Sequence, residues 1–286
     1  MTDLEVLAWT IAFVVLVGIL GSLIGSFLNV VVYRVPAGKS IVHPPSACPN
    51  CGAGIRPWDN IPVLSWLILR GKCRDCGNPI SVRYPLVEAA TAVVFAGVAW
   101  WLAPMIGEAF AASSVPLIVA SILELVAFLY FAAIGVALLL IDLDTRKLPD
   151  VIVLPSYIVG IVLLAAVSLL RWDFGPLIVA GIGLAALWVF YFALAVIKPG
   201  GMGFGDVKLS GVIGLYLGWV GVGSLIVGAF SAFLLGGVFS IVLVLSRGAG
   251  RRTAIPFGPW MIAGAAVGVF FGETIANAYL ALIGFN

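Results

Sequence analysis

Histidine is nearly missing from this chain: among 286 residues there is one, His43. A two-histidine zinc protease therefore cannot be assembled, and a Ser-His-Asp triad is open only if His43 itself serves in it. Charge is scarce as well, with 10% of residues charged against 63% hydrophobic. Cysteine is limited to four positions, all between residues 34 and 83. No internal repeat, low-complexity tract or soluble second domain interrupts the apolar runs, and the one glycine-rich stretch that superficially resembles a dinucleotide fingerprint has no strand-helix-strand unit around it.

What is there is hydrocarbon-grade sequence. A helix crosses a bilayer in about 20 apolar residues, and runs of that kind lie near 7–33, 84–104, 116–141, 151–170, 176–197, 207–220, 222–246 and 258–283. The expected fold is an all-α polytopic membrane protein of about eight transmembrane helices. Met1 to Glu5 carries Asp3 and Glu5 rather than the basic start of a signal peptide, so the first run is expected to be retained as a span. The organisation read from this pattern is a first transmembrane helix (1–33), a tetracysteine loop (34–83) and a seven-helix membrane core (84–286).

The scarce charges fix the orientation. With the 34–83 loop in the cytoplasm, fourteen of the fifteen Lys and Arg residues fall on the cytoplasmic side, and only Arg171 lies outside. Loops rich in Lys and Arg stay inside. Both termini are thus expected to face out, with the lipid bilayer as a constant partner and no nucleic-acid partner.

The loop carries "CPNCG" (Cys48, Cys51) and "CRDCG" (Cys73, Cys76). Two Cys-x-x-Cys turns at this separation suit tetrahedral zinc, each followed by a glycine (Gly52, Gly77) that relaxes the backbone round a metal. A pair of disulfides or redox thiols is the competing reading, and a cytosolic loop disfavours it. A short loop rich in proline and polar residues buries little core, so the metal would supply folding energy, and four thiolates leave no open coordination position. The zinc is read as a staple and His43 as an ordinary loop residue.

Two carboxylates are placed unlike the other acids. Asp142, in "LLLIDLDTRKLPD", ends the third span on the cytoplasmic side, and Asp206, in "GGMGFGD", begins the sixth on the same side. Held together, two such acids share a proton, and one serves as base toward water while the other donates to a carbonyl. Gly203 and Gly205 would let the backbone take unusual angles and let a substrate peptide approach closely. A helix N-terminus at Asp206 would favour its ionised form. Taken singly, each acid also reads as a helix cap or an interfacial charge. Glu88, Glu124 and Glu273 lie in or beside spans, where a charge is costly; whether each is protonated or paired stays open.

Together these stretches resemble one family. "GSFLNVVVYRVP" (25–36), "CPNCG", "DNIPVLSWLILRGKCRDCG" (59–77), "ISVRYPLVE" (80–88), "IDLDTRKLPD" (141–150) and "GGMGFGDVKL" (200–209) occur in the order seen in bacterial type IV prepilin peptidases, the GxGD class of membrane aspartic proteases. The resemblance implies that Asp142 and Asp206 are the catalytic pair, with Asp144 off the motif spacing. It implies cleavage of prepilin or pseudopilin leaders at the cytoplasmic face of the bacterial inner membrane. The tetracysteine loop is usual in members that also methylate the new N-terminus with S-adenosylmethionine, so both activities are expected. A peptidase without methylation is the alternative within the class; a proton- or ion-coupled transporter using the interfacial acids is the alternative outside it.

Overall fold

The computed structural model describes residues 3–198, 202–247 and 256–284. Arg251 and Arg252 of the charge pattern, and Gly200 and Gly201 of the glycine motif, lie outside them. The described residues form helices and loops with two isolated β-bridges and no strand. In chain order the helices are α1 (Asp3–Arg34), α2 (Leu64–Ile68), α3 (Arg83–Ala111), α4 (Val115–Thr145), α5 (Asp150–Arg171), α6 (Gly175–Ile197), α7 (Phe204–Val220), α8 (Val222–Arg247) and α9 (Gly258–Leu282), with a 3-10 turn at Pro57–Asn60.

Seven of these are long and apolar enough to cross a membrane: α1, α3, α4, α5, α6, α8 and α9. The remaining expected span, α7, has 17 residues, about 25 Å at the helical rise. Its environment differs from the others. From Leu209 to Trp219 every residue is buried, so α7 is a core rod walled by neighbouring helices. Several helices outrun the expected spans, α3 by seven residues and α4 by four at their C-terminal ends, because the helical hydrogen-bond ladder continues past the apolar run that marks it in sequence.

The chain forms two compact units, Met1–Ala112 and Ser113–Asn286. In the first, α1 and α3 pack along Gly18, Gly21 and Gly25; a Cβ on Gly21 would stand 2.9 Å from Ala92 Cα, and one on Gly25 2.8 Å from Glu88 Cα. In the second, α6 meets α7 at Gly183, Gly214 and Gly218, and α8 meets α9 at Gly228, Gly264, Gly268 and Gly272. Lipid gives apolar side chains no reason to cluster, so close backbone approach at small residues supplies the dispersion that holds such pairs.

The three acids left open by the sequence all have partners. Glu88 Oε2 accepts the Val63 N–H at 2.7 Å. Glu124 pairs with Arg171 at 2.6 Å and accepts the Trp219 indole N–H at 2.7 Å, joining α4, α5 and α7. Glu273 on α9 accepts the Ser224 N–H at 3.0 Å, capping the start of α8 from a neighbouring helix.

Candidate active site

Along α4 the inward face recurs every three or four residues, through Glu124, Phe128, Phe131, Gly135 and Leu138, and the next position is Asp142. A helix that buries this stripe must bury that carboxylate too: Asp142 is 5% exposed, whereas Asp144 is exposed. Phe131 stacks on Tyr216 of α7 with centroids 4.2 Å apart, and Phe128 meets the same ring edge-on at 5.5 Å. Asp206 lies ten residues before Tyr216, and Asp142 eleven after Phe131. Both are close to three helical turns, so the stacked rings bring the two acids to the same end. Asp142 and Asp206 are near enough for their charges to interact.

Backbone N–H groups hold each carboxylate. Gly258, the first residue of α9, donates to Asp142 Oδ2 at 3.1 Å, using one of the donors that a helix start leaves unpaired. Gly203, the N-cap of α7, donates to Asp206 Oδ2 at 3.2 Å. Leu148 lies against a neighbour of each acid, Gly205 beside Asp206 and the Gly258 that holds Asp142. Its Cβ lies 3.0 Å from where a side chain on Gly205 would begin, and its Cδ2 lies 3.5 Å from the equivalent point on Gly258.

The glycines therefore serve closeness rather than unusual angles. Gly203 has φ −74° and ψ 145°, open to any residue, and Gly205 is helical. Leu148 takes the space beside Gly205. Behind it, Arg146 ends α4 in the left-handed region at φ 54°, and the short link to α5 is tied down at Asp150, whose two oxygens each lie 2.8 Å from Lys208 Nζ. Tyr157 Oη donates to the Lys208 carbonyl at 2.5 Å, fixing α5 against the start of α7. Gly258 carries no signal in a single sequence beyond a glycine at a helix start; Leu148, Asp150 and Lys208 lie within the stretches that carry the family resemblance, but neither stretch says that they meet.

Comparison with known proteins bears on the same stretch. The profile of the type IV leader peptidase family matches residues 128–243, and that of the bacterial peptidase A24 N-terminal domain matches residues 19–102. The prepilin leader peptidase/N-methyltransferase of Pseudomonas aeruginosa is 35% identical over 96% of both chains. The proteins of that name from Aeromonas hydrophila, at 34% over 93% of both, and Legionella pneumophila, at 30% over 92% of this chain and 93% of that one, are similar along their length as well. The chain belongs to the type IV leader peptidase family. No solved structure matches it. The transporter reading is not favoured by this kinship.

In the A24 N-terminal part of this leader peptidase, Cys48, Cys51, Cys73 and Cys76 gather with all four sulfurs within 4.8 Å of one another. Cys48 Sγ and Cys76 Sγ are 3.8 Å apart, the sulfur spacing that a tetrahedron with metal-sulfur bonds of about 2.3 Å requires. The two turns match each other. Gly52 and Gly77 return N–H bonds to the Cys48 and Cys73 carbonyls at 2.9 Å with φ of 72° and 71°, a region that glycine enters without penalty. Bridges between Ala47 and Gly54 and between Lys72 and Pro79 close them.

The thiols divide in acidity. The Cys51 backbone N–H draws Cys48 down to about 7, and the Asn78 N–H, with the Asn50 side chain, lowers Cys76. Cys51 is pushed up to about 11: the Ala53 N–H acts the other way, but desolvation and the neighbouring sulfurs outweigh it. Thiolates this crowded repel one another, and a dication at their centre removes that repulsion. Geometry and donor chemistry both fit a metal ion.

Proposed function

We propose that this chain is a membrane aspartic endopeptidase that removes the leader from type IV prepilins or pseudopilins and then N-methylates the new terminus. The observation that supports the peptidase reading most is the pairing of Asp142 and Asp206, from α4 and α7, each held by a backbone N–H and near enough for their charges to interact. Methylation is supported by the names of relatives that span nearly the whole chain. A peptidase without methylation is the reading to be tested against it.

Peptide hydrolysis at such a dyad needs no histidine, serine or metal. The two carboxylates share one proton. The ionised acid takes a proton from a water whose oxygen attacks the scissile carbonyl carbon, while the protonated acid donates to the carbonyl oxygen. The bond to nitrogen then breaks as the amine collects a proton from the dyad. Gly258 and Gly203 each occupy one oxygen of a carboxylate, leaving the other free for water or substrate. Gly203, which is exposed, is assigned to the wall along which the substrate backbone runs, and Gly205, whose open side Leu148 fills, would meet the substrate through its backbone alone.

S-adenosylmethionine would supply the methyl group carried to the new amine. Cys48, Cys51, Cys73 and Cys76 would hold one structural zinc that staples the loop. The Lys and Arg asymmetry supports a multi-pass protein of the bacterial inner membrane with the dyad on the cytoplasmic side and both termini outside.

The test is incubation of the detergent-solubilised or reconstituted protein with a prepilin, with and without methyl donor, followed by mass analysis of the mature N-terminus. Cleavage is expected to disappear in both Asp142→Asn and Asp206→Asn while the proteins stay folded; retained cleavage in either variant rejects the dyad. Cleavage with no added methyl rejects the second activity alone.

A further inference from the structure

We propose that the loop segment Trp58–Ile68 is a membrane-immersed foot, with the apolar face of α2 seated in lipid at the boundary between headgroups and hydrocarbon. Its depth follows from Glu88. That residue lies five positions into α3, about 7.5 Å along the axis from its start, and level with Gly25 of α1. Gly25 in turn precedes the end of α1 by nine residues, about 13 Å. The Val63 N–H is bonded to Glu88 at 2.7 Å. Val63 therefore sits alongside the two long helices, well below their ends. At 32 and 29 residues, α1 and α3 measure about 48 and 43 Å, against about 30 Å of hydrocarbon and 40–45 Å with headgroups. The level of Val63 falls near the inner edge of the headgroup layer.

What the segment presents at that level is apolar. Trp58, Ile61, Leu64, Leu67 and Ile68 are between 48% and 74% exposed. The opposite face of α2 is already used. Ser65 Oγ donates to the Trp58 carbonyl at 2.9 Å and accepts the Ile61 N–H at 3.0 Å, and Trp66 Nε1 donates to the Ile80 carbonyl at 3.0 Å. The loop spends its polar groups on itself and leaves its oily side outward. Arg70 and Lys72, both exposed, follow directly, placed to reach anionic headgroups as an interfacial helix's basic residues do. Val63 itself stands at φ 60° and ψ −51°, an uncommon conformation for a β-branched residue, so Glu88 holds the foot where the chain would not put it unaided.

The full chain, reconstituted in nanodiscs of phosphatidylethanolamine and phosphatidylglycerol, carries the photo-crosslinker p-benzoylphenylalanine at Leu67, at Ile68 or, as a reference beyond the end of α1, at Ala37. Intact-protein mass after illumination should show lipid-sized additions at Leu67 and Ile68 well above those at Ala37. Adducts joining Leu67 and Ile68 only to protein segments, or lipid yields no higher than at Ala37, would overturn the proposal. The two sites guard against local misfolding at one of them.

Discussion

Gly258 gives its backbone N–H to Asp142 across 116 positions of sequence, at 3.1 Å, and the same glycine leaves no room for a side chain. A Cβ there would lie 2.6 Å from the Asp142 carboxylate oxygen. Backbone does not yield easily at a helix start, so in Gly258→Ala the carboxylate would rotate away. Misplacing a reacting group by about 1 Å costs on the order of 100-fold in rate. The variant should therefore lose about two orders of magnitude in kcat for prepilin cleavage with a nearly unchanged melting temperature, measured on the purified protein.

Lys208 and Asp150 tie α7 to α5, Asp150 standing two residues beyond Leu148 in the chain. Their side chains are 24% and 54% exposed, so the pair contributes at most about 1 kcal/mol to stability. Its value is positional. Lys208→Met and Asp150→Asn are each expected to lower kcat by about tenfold while leaving thermal stability almost as it was, since small displacements at a site outweigh small changes in fold energy. The swapped pair, Lys208→Asp with Asp150→Lys, should recover part of the activity in the same assay; no recovery would show that the ion pair is not what matters.

These two relationships mark where a single sequence stops being informative. Apolar runs gave the long helices, and the depth of Asp142 and Asp206 could be inferred from where those runs end. That Asp142 rather than Asp144 is the inward residue follows from the buried α4 stripe, which a uniformly apolar helix does not advertise: with lipid on one side and protein on the other, both faces are oily. The partners of Glu88, Glu124 and Glu273 were invisible for another reason. A backbone N–H is the acceptor's mate in two of the three cases, and a backbone N–H has no letter. The paired thiols of the loop were the opposite case, since spacing and geometry are nearly the same statement in a turn of four residues.

One zinc per chain should be found by elemental mass spectrometry of the purified protein. Cys51→Ser or treatment with a strong chelator is expected to remove it and to make the 47–80 region cleavable by trypsin at Arg70, Lys72 and Arg74, because the loop has little buried core to hold it otherwise. A metal-free preparation that resists trypsin equally would remove the staple.

Arg74 grips Asp59 through Nε at 3.0 and 2.8 Å and through Nη2 at 2.5 Å, and this hydrogen bonding, joined by charge attraction and opposed by desolvation, holds Asp59 below the usual carboxylate range. The folded value is below the unfolded one, near 3.9, so the contribution to stability is complete above that value and is lost as pH falls through it toward the folded one. In the cysteine loop, Asp59→Asn should abolish this component: the thermal stability of wild type and variant should differ at pH 7, and the difference should shrink as the pH of the measurement falls below about 3.9. A constant difference at all pH values would mean that packing, not charge, is lost.

At the other end of the peptidase unit, Glu124 is 6% exposed and is held by Arg171 and Trp219. The two ways of breaking the pair are not equivalent. Glu124→Gln removes the buried charge and keeps an oxygen for the Trp219 N–H, while the Arg171 side chain, 24% exposed at the last turn of α5, keeps its access to water and headgroups. Arg171→Met instead leaves a carboxylate buried with an indole for company, and stranding one partner of a buried ion pair costs about 3–5 kcal/mol. Thermal unfolding in a fixed detergent should rank the proteins wild type, then Glu124→Gln, then Arg171→Met by a wide margin. Prepilin cleavage well below the transitions should be nearly equal in all three, since none of these side chains touches the dyad. Equal destabilisation by the two substitutions would show that the pair is worth no more than its hydrogen bonds.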